Sequence, residues 1–228
     1  MNYITDAIQL GKTSVKETLA LIKKVPHLLW IPIVHLSAML LVMRFIPFMG
    51  LGMLNSLLTG LLMAGILSSY FYLLHQGIYY KRLKWRDVTH GIKVYALEIW
   101  IALLVLNLVN YAINLVGFNQ IPLPIVNLMI FILFNPLPEV IYLSEYAYND
   151  LFFYNFAFIR RNWLPWFLLN GVLWLLLAPL LLLGSFIPAI FNILMVVYLS
   201  FAMLFRGFLF KSLHSSNYRK RRFNQYNR

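Results

Sequence analysis

The chain has 228 residues, of which 61% are hydrophobic and only 11% are charged, and its formal net charge is +12. A soluble domain is about half apolar and about one quarter charged, so a soluble fold of this size could not bury so many large apolar side chains. The chain contains no cysteine, which excludes disulfides, thiolate metal sites and cysteine nucleophiles. We therefore expect an all-α integral membrane protein.

The first predicted element, residues 1–26, is an amphipathic helix lying on the cytoplasmic membrane surface. Apolar side chains recur every three or four residues from Ile4 to Ile22, which is the period of one helix face. The lysines of this segment are expected to contact the anionic headgroups of the inner leaflet. They are Lys12, Lys16, Lys23 and Lys24.

Six apolar stretches follow, each long enough to cross a hydrocarbon core of about 30 Å as a helix. They lie near 27–46, 53–78, 96–117, 123–145, 164–184 and 187–210. Proline or glycine lies at or near the connection within each successive pair, at Pro47, Gly117 and Gly184. Residues 27–211 are therefore predicted to form six transmembrane helices arranged as three hairpins.

Basic residues lie almost entirely on one side of this topology. With a cytoplasmic N-terminus, Arg44 is the only one of the 19 lysines and arginines in an outer position. Because basic segments stay inside, both termini are predicted to be cytoplasmic, with 212–228 as a basic tail. The tail is expected to be attracted to anionic lipid rather than to nucleic acid, each basic residue contributing about 1 kcal/mol. This run is Arg219, Lys220, Arg221 and Arg222.

Glu139 is a candidate functional residue inside the membrane, where an ionisable side chain is costly. It follows Asn135-Pro136-Leu137-Pro138, and the two prolines remove backbone donors and leave carbonyl oxygens without helical partners. A carboxylate here could hold a cation, a proton or a basic group of a substrate. The alternative is that Glu139 reaches water at the inner end of its helix or pairs with a loop arginine.

Three asparagines of the third span, Asn107, Asn110 and Asn114, share one helix face. In lipid such a face has to contact other helices or a wet cavity. It therefore indicates either hydrogen bonds that fix helix packing or part of a transport path. With Glu139 and Asn135, these asparagines form the candidate intramembrane polar site.

The sequence carries no familiar signature of catalysis or of cofactor binding. No pair of histidines has the spacing of metal ligands, so neither a metal nor a cofactor is expected. The Walker A loop, the Gly-x-Ser-x-Gly elbow and the His-Glu-x-x-His motif are all absent. We therefore do not expect an enzyme.

Cytoplasmic segments at 4–24, 81–94 and 148–162 form the expected contact surface for a partner. The third of these is unusually apolar for a loop, which suits docking of a partner or contact with the membrane. Its docking residues are predicted to be Phe152, Phe153, Phe156 and Phe158. The absence of an Asn-x-Ser/Thr sequon fits a bacterial inner membrane.

Three segments carry a resemblance to a known group. They are "KKVPHLLWIP" within 19–32, the Gly-led span and basic segment at 60–95, and "NPLPEVIYLSEYAYNDLFFYNFAFIRRNW" at 135–163. The chain resembles bacterial six-span membrane proteins of the YciC-like kind, and the membrane domain fused to some glycerophosphodiester phosphodiesterases. The resemblance implies six helices with interfacial elements and no established chemistry.

These observations together predict a non-catalytic bacterial inner-membrane protein, working as an accessory or permease-like subunit in envelope, lipid or peptide handling. Its expected partners are membrane lipids and either a cytoplasmic ATPase or another membrane protein. One alternative is the transmembrane subunit of an ATP-driven exporter with a separate ATPase. Another is an intramembrane enzyme acting on lipid, centred on Glu139.

Overall fold

The computed structural model describes residues 3–45, 53–116, 123–186 and 188–215, and every regular element in these ranges is a helix. The helices are α1 (Tyr3–Lys24), a short 3-10 helix (Pro26–Leu29), α2 (Ile31–Phe45), α3 (Met53–Tyr80), α4 (Trp85–Val94), α5 (Ala96–Val116), α6 (Leu123–Phe134), α7 (Leu137–Leu143), α8 (Asn149–Phe186) and α9 (Pro188–Ser215). Six segments in these ranges are long and apolar enough to cross a membrane, and each overlaps one predicted span. The prediction of an all-α chain with six such helices is confirmed, and it supports a multi-pass membrane protein.

The fourth predicted span is divided at its proline-rich turn. Helix α6 ends at Phe134 and α7 begins at Leu137. The side-chain amide of Asn155, on α8, donates a hydrogen bond over 2.6 Å to the carbonyl oxygen of Leu133, at the end of α6. A side chain therefore satisfies a backbone acceptor at the break, where the hydrocarbon of a membrane would offer no water.

Helix α8 bends at Asn162, whose backbone leaves the helical region at φ −125° and ψ 16°. The residues before the bend are those of the predicted amphipathic segment, and the residues after it are those of the fifth predicted span. One long helix thus has two stretches of different sequence character joined at a single residue.

The chain divides into two compact units. Unit 1 contains Met1–Ile33, Leu74–Leu83 and Ala157–Arg228, and unit 2 contains Val34–Leu73 and Lys84–Phe156. In unit 1, α1 packs against α9. A further bond joins α9 to the 3-10 helix, because the Ser200 hydroxyl donates to the carbonyl oxygen of Leu29 over 3.0 Å.

The buried face of α1 differs from the predicted apolar stripe. It is formed largely by small side chains, and at Gly11 an added Cβ would lie only 2.8 Å from a methyl carbon of Leu169. The small residues of this face are Ala7, Gly11, Ser14 and Thr18. Most large members of the predicted stripe remain exposed, namely Ile4, Ile8, Val15 and Leu19. Small residues form the packing face because they let two helix backbones approach closely.

A cluster of aromatic rings also lies in the core of unit 1. Trp166 is fully buried and meets Phe158 edge to face, with ring centroids 5.4 Å apart. Phe158 also stacks on Phe210 of α9, with centroids 4.6 Å apart. The guanidinium of Arg206 lies 5.3 Å from the centre of the Trp166 ring, within cation–π range.

Candidate functional site

In unit 2, helix α4 is attached to α3 by two neighbouring serines. The Ser68 hydroxyl donates to the carbonyl oxygen of Gly91 over 2.5 Å and accepts a bond from the Tyr95 backbone N–H over 2.8 Å. The Ser69 hydroxyl donates to the carbonyl oxygen of Val88 over 2.8 Å. The short polar helix is thereby fixed against a long apolar one.

Gly91 allows the two helices to approach closely. A Cβ at this position would lie 2.8 Å from Cβ of Tyr72 and 3.0 Å from Cα of Ser69. Real side chains do not tolerate such distances, so α4 could not lie this close to α3 with any larger residue here.

A groove of about 630 Å³ lies between α2, α3, α4 and α5, entirely within unit 2. Its walls are largely apolar, and its volume is within the usual range of about 300–1,000 Å³ for sites that bind small molecules. The lining residues are Val34, His35, Ala38, Leu61, Leu62, Gly65, Ile66, Ser69, Val88, Ile92, Lys93, Ala96, Leu97 and Trp100. Val34 and Leu61 are 63% and 56% exposed, so the groove is open to the exterior of this group of helices.

The polar part of the groove consists of His35, Ser69 and Lys93. Nε2 of His35 lies 3.3 Å from the Ser69 hydroxyl oxygen. While Ser69 gives its single hydroxyl proton to Val88, the imidazole can bond the serine oxygen only as a donor, in the tautomer protonated at Nε2. A general base would instead accept the serine proton, so in this arrangement the imidazole is not placed as the base of Ser69.

Glu139 lies in the interior of unit 2 and does not line the groove. The ring of His35 lies against that of Tyr70, with centroids 5.4 Å apart. The carboxyl side chain of Glu139 is 0% exposed and Asn135 is buried as well. Glu139 therefore does not contact bulk water at the inner end of its helix, and its pairing with a loop arginine stays a prediction.

The asparagine face of α5 does not join this interior cluster. Asn107 and Asn110 are exposed in unit 2, and the side chain of Asn114 lies outside the described residues. The sequence predicted a face in contact with helices or a wet cavity. In the described part of the chain, the two visible amides instead lie on the surface of their helix.

The predicted docking phenylalanines do not share one surface. Phe153 is 74% exposed, and Phe156 is also exposed although its ring contacts Phe134. The Phe152 ring contacts Phe134 as well. Phe158 is 2% exposed and belongs to the aromatic core of unit 1, so its prediction as a docking residue is wrong.

The predicted lipid-surface lysines of α1 are all exposed: Lys12, Lys16, Lys23 and Lys24. They share the helix with the exposed apolar residues Ile4, Ile8, Val15 and Leu19. The basic run at Arg219, Lys220, Arg221 and Arg222 lies outside the described residues.

Sequence reasoning missed Lys93 and the serine pair. Two consecutive serines in a long apolar stretch, followed by a basic segment containing glycine, were a usable signal. The sequence identifies Lys93 only as a topological charge, because its position over an apolar wall depends on residues from three other helices.

Among the described residues, no group of three His, Asp or Glu side chains could hold a metal ion. No family model, curated protein or solved structure matches this chain.

Proposed function

We propose that this chain is a non-catalytic bacterial inner-membrane protein, working as an accessory or permease-like subunit in lipid handling, and that the groove holds an acyl chain of a membrane lipid. The groove carries the proposal, since its walls are apolar and it opens on the outer surface of helices long enough to span a membrane. Among envelope, lipid and peptide roles, such walls favour lipid, because a peptide backbone would need hydrogen-bond partners along its length.

The proposal also includes the topology of the chain in the membrane. The six spans form three hairpins with both termini in the cytoplasm, and α1, α4 and the first part of α8 lie at the inner surface. The distribution of basic residues and the exposed apolar and lysine residues of α1 support this arrangement. The resemblance to YciC-like proteins agrees with it.

A binding role is supported over an enzymatic one by the direction of the Ser69 bond. A serine nucleophile needs a base that accepts its proton, and Ser69 instead gives its proton to the Val88 carbonyl. Glu139, which would be central to an intramembrane enzyme, is buried and is absent from the groove lining.

Native mass spectrometry of the chain, gently extracted from its own membranes, tests the proposal. Wild type should retain lipid, and Ala38→Trp, which fills the groove, should lose it. Ala112→Trp adds the same bulk at an exposed position of α5 outside the groove lining and should retain lipid. Equal lipid retention in all three proteins, or none in wild type, would contradict lipid handling by the groove. A stoichiometric ATPase in the same preparation would identify the exporter subunit instead.

A further inference from the structure

We propose that the groove selects an anionic glycerophospholipid of the inner leaflet, with its phosphate bound by Lys93 and one acyl chain lying along α3. This inference rests on the proposed function, because it names the ligand of the same groove. It is carried by three observations: the charge of the lining, the position of α4 and the length of the apolar wall.

The charge of the groove favours an anion. Among the described residues that line it, Lys93 alone carries a permanent charge, and no carboxylate is present to compete for the ammonium group. Lys93 is exposed, so its flexible side chain can reach a phosphate at the mouth of the groove without desolvation of the charge. The same ammonium would repel the choline group of a zwitterionic headgroup.

The exposed side chains of α4 are typical of a helix at the depth of the lipid headgroups. Trp85 is 91% exposed, and its neighbours Lys84 and Arg86 are exposed too. Exposed tryptophan together with basic residues is typical of the boundary between membrane and water. Lys93 lies near the other end of this helix, so a phosphate that it binds would be at the depth of other lipid headgroups.

The apolar wall has the length of one leaflet. From Ser69 to Leu61 the groove follows α3 for eight residues, or about 12 Å at the helical rise. One leaflet contributes about 15 Å to the hydrocarbon core of a bilayer. A lipid with its phosphate at Lys93 can therefore lay one acyl chain along α3, where Ala38 and Ala96 leave room for it.

Photolabelling in nanodiscs tests this assignment. The full chain is reconstituted in phosphatidylcholine with a trace of either phosphatidylglycerol or phosphatidylcholine that carries a diazirine in one acyl chain. The measured quantity is label on peptides that contain residues 61–69. The attraction of one lysine for a lipid of net negative charge, about 1 kcal/mol, predicts about fivefold more label from phosphatidylglycerol than from neutral phosphatidylcholine.

Lys93→Gln should remove this fivefold preference. The matched control Lys84→Gln removes the same charge from the same segment, away from the groove lining, and should keep the preference. Both lysines are exposed, so neither change alters the core. Ala38→Trp, with Ala96→Trp as a second blocking variant, should abolish groove labelling by either lipid.

The outcomes separate the two proposals. Equal labelling by the two lipids, or no effect of Lys93→Gln, together with loss of label in the blocked variants, would overturn the choice of an anionic lipid and leave the proposed function intact. Label that persists in both blocked variants would mean that ordinary surrounding lipid reacts, and both proposals would be wrong. A diazirine fatty acid that labels as well as phosphatidylglycerol and shows the same dependence on Lys93 would replace the phospholipid with a free carboxylate.

Discussion

The hydroxyl of Ser68 lies 2.5 Å from the carbonyl oxygen of Gly91 and donates a hydrogen bond to it. The same oxygen atom of Ser68 accepts the backbone N–H of Tyr95. One side chain of α3 therefore hydrogen-bonds two backbone groups at the junction between α4 and α5. Lys93 lies between Gly91 and Tyr95 in the sequence, so these two hydrogen bonds also fix the backbone position of the lysine that lines the groove.

Ser68→Ala should destabilise the protein by about 1–3 kcal/mol, because it leaves backbone groups at a buried position without their partner. The free energy of unfolding can be measured by SDS titration in mixed micelles. Ser37→Ala, at an exposed position of α2, is the control and should change it by less than about 0.5 kcal/mol. Equal small effects at both positions would mean that α4 is not held by Ser68.

Gly91→Ala should also destabilise, by about 1–3 kcal/mol, since the added methyl group would overlap Tyr72 and the α3 backbone. Gly171→Ala should act in the opposite direction. No atom lies within 4 Å of its added Cβ, and alanine is favoured over glycine inside a helix by about 1 kcal/mol. Thermal unfolding of the two variants beside wild type measures both signs. A stabilising Gly91→Ala would contradict the close contact between α3 and α4.

Phe158→Ala should cost about 3–5 kcal/mol, because it leaves a cavity against Trp166 and Phe210. Phe153→Ala removes the same atoms from an exposed site and should change stability by less than about 0.5 kcal/mol. If the apolar surface of α8 docks a partner, Phe153→Ala should weaken that interaction in a pull-down while leaving unfolding unchanged. Comparable destabilisation by both changes would place Phe153 in the core as well.

The α1 helix should contact lipid through its exposed apolar residues. The chain has no cysteine, so a single cysteine at Ile8 can carry an environment-sensitive fluorophore. In anionic vesicles we expect blue-shifted emission from a label at Ile8, and emission typical of water from one at Gln9, its polar neighbour. Identical spectra at the two positions would mean that this surface of α1 contacts water or a protein partner.

Both termini are proposed to be cytoplasmic, and the same cysteine-free background tests this in intact cells. Arg44→Cys should react with a membrane-impermeant maleimide from outside. Lys16→Cys and Arg86→Cys should react only after the cells are permeabilised. Reaction of Arg86→Cys in intact cells would reverse the proposed topology of α4 and move Lys93 to the outer leaflet.

Local rules made the spans and their break predictable. Each span needs only about 20 apolar residues in a row, and the division between α6 and α7 follows from the missing N–H groups of Pro136 and Pro138. Asn155 was not assigned to the broken end of α6, because the two are separated in sequence and only packing brings them together.

Non-local packing also explains the failures. The sequence of α1 offers two faces that could pack against other helices. Only the contact of Gly11 with Leu169 shows that the small residues form the buried face. Phe158 reads as one more apolar residue of an amphipathic segment, yet Trp166 and Phe210 enclose it. The groove was least accessible to sequence reasoning, because its walls come from four helices and no single stretch of the chain has its pattern.

The packing of α1 against α9 sets an order of events during synthesis. Ser200 of α9 and Leu29 of the 3-10 helix that follows α1 form a hydrogen bond and are separated by 171 residues. At about 5–20 residues per second, a ribosome needs roughly 10–35 s to make the intervening chain. Throughout that interval the newly made α1 has no α9 to receive its small-residue face. The membrane surface or a chaperone at the insertion site can contact that face first. The packing of α1 against α9 is then a late step of folding, which begins only after α9 has been synthesised.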